Sequence, residues 1–167
     1  MMNGTIWVES EFGKGSTFYF TIPYIVKSNG KQDDKISITD VAADDIIKNL
    51  KVLLVEDDEV SMDFLKIIMG ESKTIITASN GAEAVIMCKD NSDIDLILMD
   101  IKMPIMDGFE ATKEIRLFNK DVVIIAQTAY GLAGDRTKAI EAGCNDYVSK
   151  PIVKNVLFSK IREYFTN

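Results

Sequence analysis

From residue 50 onward, short runs of consecutive apolar residues alternate with stretches in which apolar residues recur every three or four positions. The first pattern predicts strands buried on both faces, and the second predicts amphipathic helices packed against them. The strand candidates are Lys51–Val55, Thr74–Ala78, Asp95–Met99, Val122–Ala126 and Asn145–Ser149. The helical stripes between them are Val60, Phe64, Ile67 and Ile68; then Ala82, Val85 and Ile86 with the stem of Lys89; then Phe109, Thr112, Ile115 and Arg116. After the last strand, Val153, Leu157, Ile161 and Phe165 form one face of a helix, with Lys154, Lys160, Arg162 and Glu163 on the other. Strand–helix repeats joined by right-handed crossovers give an α/β domain: a parallel sheet covered by helices on both sides.

The chain before residue 50 reads differently. Thr5–Glu9 and Thr17–Ile22 are β-prone runs separated by Phe12-Gly13-Lys14-Gly15, the signature of a hairpin with a glycine-rich turn. A two-stranded ribbon buries too little surface to stand alone in water, so this pair is expected to pack on the rest of the chain or to belong to a domain cut off at Met1. Lys27–Lys35 is polar, without core-forming periodicity, and reads as a linker. Asp40 offers an N-cap for a short helix over Val41–Leu50.

Composition narrows the function. The 167 residues are 47% hydrophobic and 27% charged, ample for one ordinary core plus an appendage. A formal charge of -7 and a pI near 4.7 argue against nucleic acid as a partner, since affinity for its backbone needs clustered Lys and Arg. The sequence has no histidine, which excludes catalytic triads, histidine metal sites and a phosphohistidine of its own. Its two cysteines, Cys88 and Cys144, have no metal-ligand spacing and read as reduced thiols of a cytoplasmic protein. No apolar stretch reaches the length of a membrane span and the first residues lack a signal-peptide layout, so no direct membrane contact is expected.

Open α/β sheets place their sites at the carboxyl ends of the strands. Here the first strand runs into Glu56-Asp57-Asp58-Glu59, the third into Asp100, the fourth into Thr128 and the fifth into Lys150-Pro151. Taken singly these are a helix-dipole complement, a loop acid, a cap and a solvated charge. Together they are a coherent chemical set around one pocket. Crowded carboxylates repel unless a cation sits among them, and an all-oxygen site suits Mg²⁺, with Mn²⁺ as the alternative. Asp57 and Asp100 are the candidate direct ligands. With a metal neutralising phosphoryl oxygens, a carboxylate can act as nucleophile and become an aspartyl phosphate, while Lys and Thr hold the remaining oxygens.

These residues carry a resemblance. Val55-Glu56-Asp57-Asp58, Met99-Asp100-Ile101-Lys102-Met103-Pro104-Ile105-Met106-Asp107-Gly108, Thr128-Ala129 and Lys150-Pro151-Ile152 resemble the receiver domain of bacterial response regulators, the CheY-like family, over residues 50–167. The resemblance implies a flavodoxin-like, doubly wound (βα)5 fold with strand order 2-1-3-4-5. It implies Asp100 as phosphoacceptor, Asp57 as direct Mg²⁺ ligand, Glu56 acting through water, and Lys102 lending its backbone carbonyl. Thr128 and Lys150 would contact the phosphoryl group, Pro151 would follow a cis bond, and Tyr147 would be the switch aromatic that responds to Thr128. Glu56 stands where Asp is commoner, which bears on metal affinity. Lys102 and Tyr130 occupy positions that tune phosphate lifetime in the family. The implied partners are a histidine kinase's phosphohistidine domain and a histidine phosphotransfer protein, with homodimerisation through the helix 4, strand 5, helix 5 face allowed.

A second resemblance covers residues 1–23. Asn3-Gly4-Thr5-Ile6-Trp7-Val8-Glu9-Ser10, Gly13-Lys14-Gly15-Ser16-Thr17-Phe18 and Ile22-Pro23 are similar to the closing strands of a histidine-kinase ATP-binding domain. Gly13-Lys14-Gly15-Ser16 fails as a phosphate loop, which needs Gly-Lys directly followed by Ser or Thr. The chain therefore reads as a kinase remnant (1–23), a linker with a short helix (24–49) and a receiver (50–167), the C-terminal end of a hybrid sensor kinase whose parent is membrane-anchored. As a fragment it lacks a kinase core, while a receiver catalyses its own phosphorylation and dephosphorylation. The alternatives are a degenerate receiver that binds partners without phosphate, and a Mg²⁺-dependent aspartate-nucleophile phosphatase. The phosphatase would want Asp at position 102, which is Lys.

Overall fold

A computed structural model of the chain describes residues 5–21, 46–128 and 133–166. The linker read at Lys27–Lys35, the Asp40 cap, the helix start at Val41 and the motif residues Asn3, Gly4, Ile22, Pro23, Ala129 and Tyr130 lie outside the described residues. Two compact units divide the chain, Met1–Lys35 and Ile36–Asn167.

In the first unit, β1 (Ile6–Glu11) and β2 (Gly15–Phe20) pair antiparallel, from Ile6↔Phe20 to Glu11↔Gly15. The turn needs its glycines: Gly13 and Gly15 sit at φ +80° and +105°, a region side chains disfavour. Alternation puts Trp7 and Tyr19 on one face, stacked with ring centroids 5.2 Å apart, and Ile6, Val8, Phe18 and Phe20 on the other. Every strand residue of this ribbon is exposed.

The second unit is a sheet of five parallel strands, β3 (Lys51–Val55), β4 (Thr74–Ala78), β5 (Leu96–Asp100), β6 (Val123–Thr128) and β7 (Asp146–Ser149), in the order β4-β3-β5-β6-β7. That is the expected order 2-1-3-4-5 once the hairpin strands are set aside. The helices are α1 (Glu59–Ile68), α2 (Gly81–Asp90), α3 (Gly108–Phe118), α4 (Ala133–Ala142) and α5 (Lys154–Phe165). Period-two alternation splits the apolar strand residues between two cores. Leu53, Val55, Ile97, Met99, Ile124 and Ala126 pack with α2, α3 and α4, and Val52, Leu54, Leu96, Leu98, Ile125 and Val148 pack with α1 and α5. Asp58, Asn80 and Asp107 cap α1, α2 and α3, each carboxylate or amide oxygen accepting a backbone N–H three residues on. Such caps contribute about 1 kcal/mol apiece.

Three expectations change. On α1, Leu65 and Ile68 are buried, whereas Val60, Phe64 and Ile67 are 78%, 46% and 79% exposed. At 3.6 residues per turn the apolar residues of this helix spread over an arc of about 200°, wider than one sheet contact covers, and the core takes the other half of it. On α2 the buried face is Gly81, Ala84, Val85 and Cys88, with Ile86 exposed, because small residues permit the close approach to α3: a Cβ on Gly81 would lie 2.9 Å from Ala111 Cβ. On α5, Leu157 and Ile161 are buried as expected, joined by Phe158, but Val153 is the exposed N-cap. Ile47 and Leu50 also pack in the α1/α5 core, so this unit begins upstream of residue 50. Among the described residues no helix is long and apolar enough to cross a membrane.

Candidate functional site

The strands that build the α1/α5 core continue to the carboxyl rim of the sheet with the same alternation. Two residues beyond Leu54, Leu98 and Ile125, the same face carries Glu56, Asp100 and Gln127, with Asp100 and Gln127 in register. Lys150 follows β7 and reaches back across this row. Its Nζ donates to Glu56 Oε1 and Oε2 at 2.9 and 2.7 Å and lies 3.1 Å from Asp100 Oδ2. Glu56 and Asp100 are buried at 3% and 5% exposure, while Asp57 is exposed beside them.

Burial in this rim opposes ionisation of Glu56. Burial raises its pKa above the ordinary 4.5, the Lys150 hydrogen bonds pull it back, and the Asp100 charge pushes it up again, leaving it raised. For Lys150, burial favours the neutral amine, but the Glu56 hydrogen bonds and the Asp100 and Glu56 charges outweigh it and the pKa ends above 10.5. The ammonium is firmly charged. Asp58 is set apart from these acids, because the Ser61 backbone N–H it caps holds its carboxyl below 3.8.

Glu56, Asp57 and Asp100 each offer one oxygen, all within 4.8 Å of one another. Two opposed ligands at Mg²⁺ distances span about 4.2 Å, so a small closure of these side chains fits one octahedral, all-oxygen ion. The donor set lacks nitrogen and sulfur, which disfavours zinc.

The remaining expected residues are arranged around this centre without all joining it. Lys102 donates its backbone N–H to Asp100 Oδ1 at 3.4 Å while its side chain is exposed. Thr128 is buried at 2% on the opposite face of β6, where with Lys102, Phe109 and Lys138 it lines a cavity of about 450 Å³. Glu56 and Lys150 border a different one, of about 560 Å³, between α1 and the Lys150-Pro151-Ile152 turn. Tyr147 is half-buried against the α2/α3/α4 core, with Lys160 Nζ 5.3 Å and the Arg136 guanidinium 5.9 Å from its ring centroid. The Lys150-Pro151 bond is cis.

Sequence reading passed over three features of the site. Gly108 is required by close packing, since a Cβ there would run into the Asp100 carbonyl oxygen. Ile105 takes φ 72°, closing a three-residue turn in which Met106 N–H donates to Pro104 C=O, and its side chain is exposed; such a conformation is strained for a β-branched residue. Gln127 is wholly buried with neither side-chain atom hydrogen-bonded. A lone amide in the apolar run of β6 was the visible signal for it.

Comparison with known proteins agrees with this geometry. Residues 52–162 match the response regulator receiver domain family. Chemotaxis protein CheY of Halobacterium salinarum is 42% identical over 117 residues, covering 70% of this chain and 97% of that protein. The autoinducer 2 sensor kinase/phosphatase LuxQ of Vibrio vulnificus is 34% identical over 98% of this chain, which spans only 19% of that protein. Among solved structures, the Saccharomyces cerevisiae Ssk1 receiver in complex with the histidine phosphotransfer protein Ypd1 superposes with a TM-score of 0.66 at 35% identity, covering 70% of this chain and 89% of that one. The receiver domain of a Pseudomonas aeruginosa sensor histidine kinase, with magnesium coordinated in its active site cleft, gives 0.64 at 32%, covering 71% and 99%.

Proposed function

The chain belongs to the response regulator receiver domain family, and from that premise we propose that Asp100 accepts the phosphoryl group in a two-component phosphorelay. Receivers are phosphorylated on an aspartate with Mg²⁺ bound at an acidic pocket, and this chain has such a pocket in Glu56, Asp57 and Asp100. The observation that carries the assignment is Asp100 itself: buried at the end of a central strand, with Lys150 Nζ 3.1 Å away and two more acids within one ion's reach. An Asp100 oxygen attacks the phosphorus of a phosphohistidine, the P–N bond breaks, and the electron pair leaves with the imidazole of the donor.

Glu56, Asp57, Asp100 and the Lys102 carbonyl are the proposed metal holders. Bound there, Mg²⁺ would neutralise the phosphoryl oxygens during transfer. Lys150 supplies a compact positive charge to those oxygens, and Thr128 a hydroxyl that Tyr147 follows as the switch. Because the chain has no histidine, the donor is another polypeptide or another domain.

The partner is a histidine phosphotransfer protein, supported by the Ssk1–Ypd1 likeness and by the exposed apolar residues Val60, Phe64 and Ile67 of α1. Val60 and Phe64 border the 560 Å³ groove that Pro151 and Ile152 close beside Lys150. Residues 1–23 are assigned to the end of a histidine kinase's ATP-binding domain and 50–167 to the receiver of a hybrid kinase. The LuxQ alignment over nearly the whole chain and the exposed Ile6, Val8, Phe18 and Phe20 face of the hairpin support this. Two free, buried cysteines accord with a reducing, cytoplasmic setting.

Intact-mass measurement after incubation with Mg²⁺ and acetyl phosphate tests the core of the reading. Wild type gains one phosphoryl group and Asp100→Ala gains none. Equal labelling of both proteins removes Asp100 as acceptor, and no labelling of wild type favours a phosphate-independent binding module.

A further inference from the structure

Gln127 sits on β6 between Asp100 of β5 and the strand that leads to Lys150. Its backbone carbonyl accepts from Ile101 N at 3.2 Å, but its side-chain Oε1 and Nε2 have no partner although the residue is 0% exposed. An apolar side chain of the same shape would remove that standing cost, and Ile124, Ile125 and Ala126 just before it are apolar and buried. Nothing in the packing of the strand calls for an amide. Gln127 does line, with Glu56 and Lys150, the cavity at the rim of the sheet.

We infer that Gln127 is a positioning residue of the phosphoryl-transfer site, its amide bridging Lys150 and Glu56 once the ammonium is drawn toward a phosphoryl group on Asp100. The inference rests on Asp100 being the phosphoacceptor. In the present arrangement Lys150 Nζ directs its hydrogens to both Glu56 oxygens and Asp100 Oδ2. A phosphoryl group adds negative charge beyond the carboxylate, and Lys150 meets it by loosening its hold on Glu56. Glu56, buried at 3% exposure, then keeps its backbone donor from Asp58 and turns one oxygen toward the metal site, but loses the hydrogen bonds of the ammonium, a loss that is costly away from water. Gln127 has an idle donor and an idle acceptor on that face, one strand from Asp100. Nε2 can donate to Glu56 while Oε1 accepts from Lys150, so the amide bridges both members of the pair. The unpaired amide of the resting site is thus the reserve partner of the loaded one.

The test uses the full chain labelled with ¹⁵N. Gln127 is one of two glutamines, the other being Gln32, and Gln127→Met identifies its side-chain amide signals. On adding Mg²⁺ and beryllofluoride, those signals should shift downfield and their exchange with solvent should slow. Gln127→Met should melt no lower than wild type without ligand, yet bind beryllofluoride about tenfold more weakly, the loss expected for one hydrogen bond to a charged group. Unmoved amide signals, or a Met variant that binds beryllofluoride as tightly as wild type, overturn the role of Gln127 even though the site loads. If wild type takes up neither beryllofluoride nor a phosphoryl group from acetyl phosphate, the Asp100 assignment fails first and takes this inference with it.

Discussion

Leu54, Leu98 and Ile125 form one row across the middle of the sheet, and Glu56, Asp100 and Gln127 form the next row on the same face at its carboxyl rim. The strands and the register are shared, and both rows are buried. The middle row is fully apolar and packs against α1 and α5. In the rim row two acids crowd together, an amide goes unpaired, and Lys150 reaches over from the far side to hold the acids. A difference of two residues along each strand separates a region built for stability from one that gives stability up. Burial that strengthens an apolar contact makes a carboxylate reactive to its surroundings, and the rim uses that second effect.

The comparison breaks most severely at the middle row. Leu98→Ala should cost about 3–5 kcal/mol in urea unfolding of the second unit, since a filled, water-free position is emptied. A loss under about 1 kcal/mol would mean that the middle row is not the part that holds the sheet together. Lys150→Met at the rim should cost less, about 1–3 kcal/mol, because it takes the two ammonium hydrogen bonds from buried Glu56 although Lys150 itself is partly exposed. It should also abolish labelling by acetyl phosphate, whereas Leu98→Ala should leave labelling intact in whatever fraction stays folded.

The smallest effect is a slope. Because the folded pKa of Glu56 is raised, the native state keeps its proton longer than the unfolded chain, so stability falls as pH rises from about 4.5 through the raised value. Glu56→Gln should flatten that segment of a stability-against-pH curve. Asp58 and Glu83 work in the opposite window: their folded pKa values are lowered, and their contribution is lost only as pH falls below their ordinary 3.8 and 4.5. The share that Lys150 contributes persists until pH rises past 10.5. A wild-type curve with no slope above pH 4.5 would show that Glu56 is not the strained acid of the rim.

The middle row was more legible in the sequence than the rim. Lys51–Val55 was legible to the residue because a central parallel strand shows as an apolar run buried on both faces, and the edge strand Thr74–Ala78 because of its β-branched residues. Asp100 and Lys150 were legible from their places at strand ends and from their motifs. Helix faces were harder to read: on α1, periodicity cannot say which part of a wide apolar arc the sheet will cover, and it favoured Phe64 over Leu65. Gln127 and Gly108 stand out in the sequence as a lone amide and a motif glycine, but the reason for each is a matter of neighbours, an absent partner in one case and an impossible Cβ in the other. Which β6 residue lies on which side of the rim was not legible: Thr128 lines the cavity beside Lys102, and its neighbour Gln127 lines the groove beside Lys150.

The ion pair between Glu56 and Lys150 joins residues 94 apart in the chain, close to the two ends of the second unit. Contacts of such long range carry a large loop-closure cost, and the chain emerging from synthesis reaches Lys150 only after Asp100. Asp100 therefore exists on a growing or half-folded chain long before the ammonium that completes its surroundings arrives. On the proposed assignment of Asp100, competence to take a phosphoryl group would be a certificate of finished folding: a copy that lacks β7 would keep the carboxylate without the ammonium beside it.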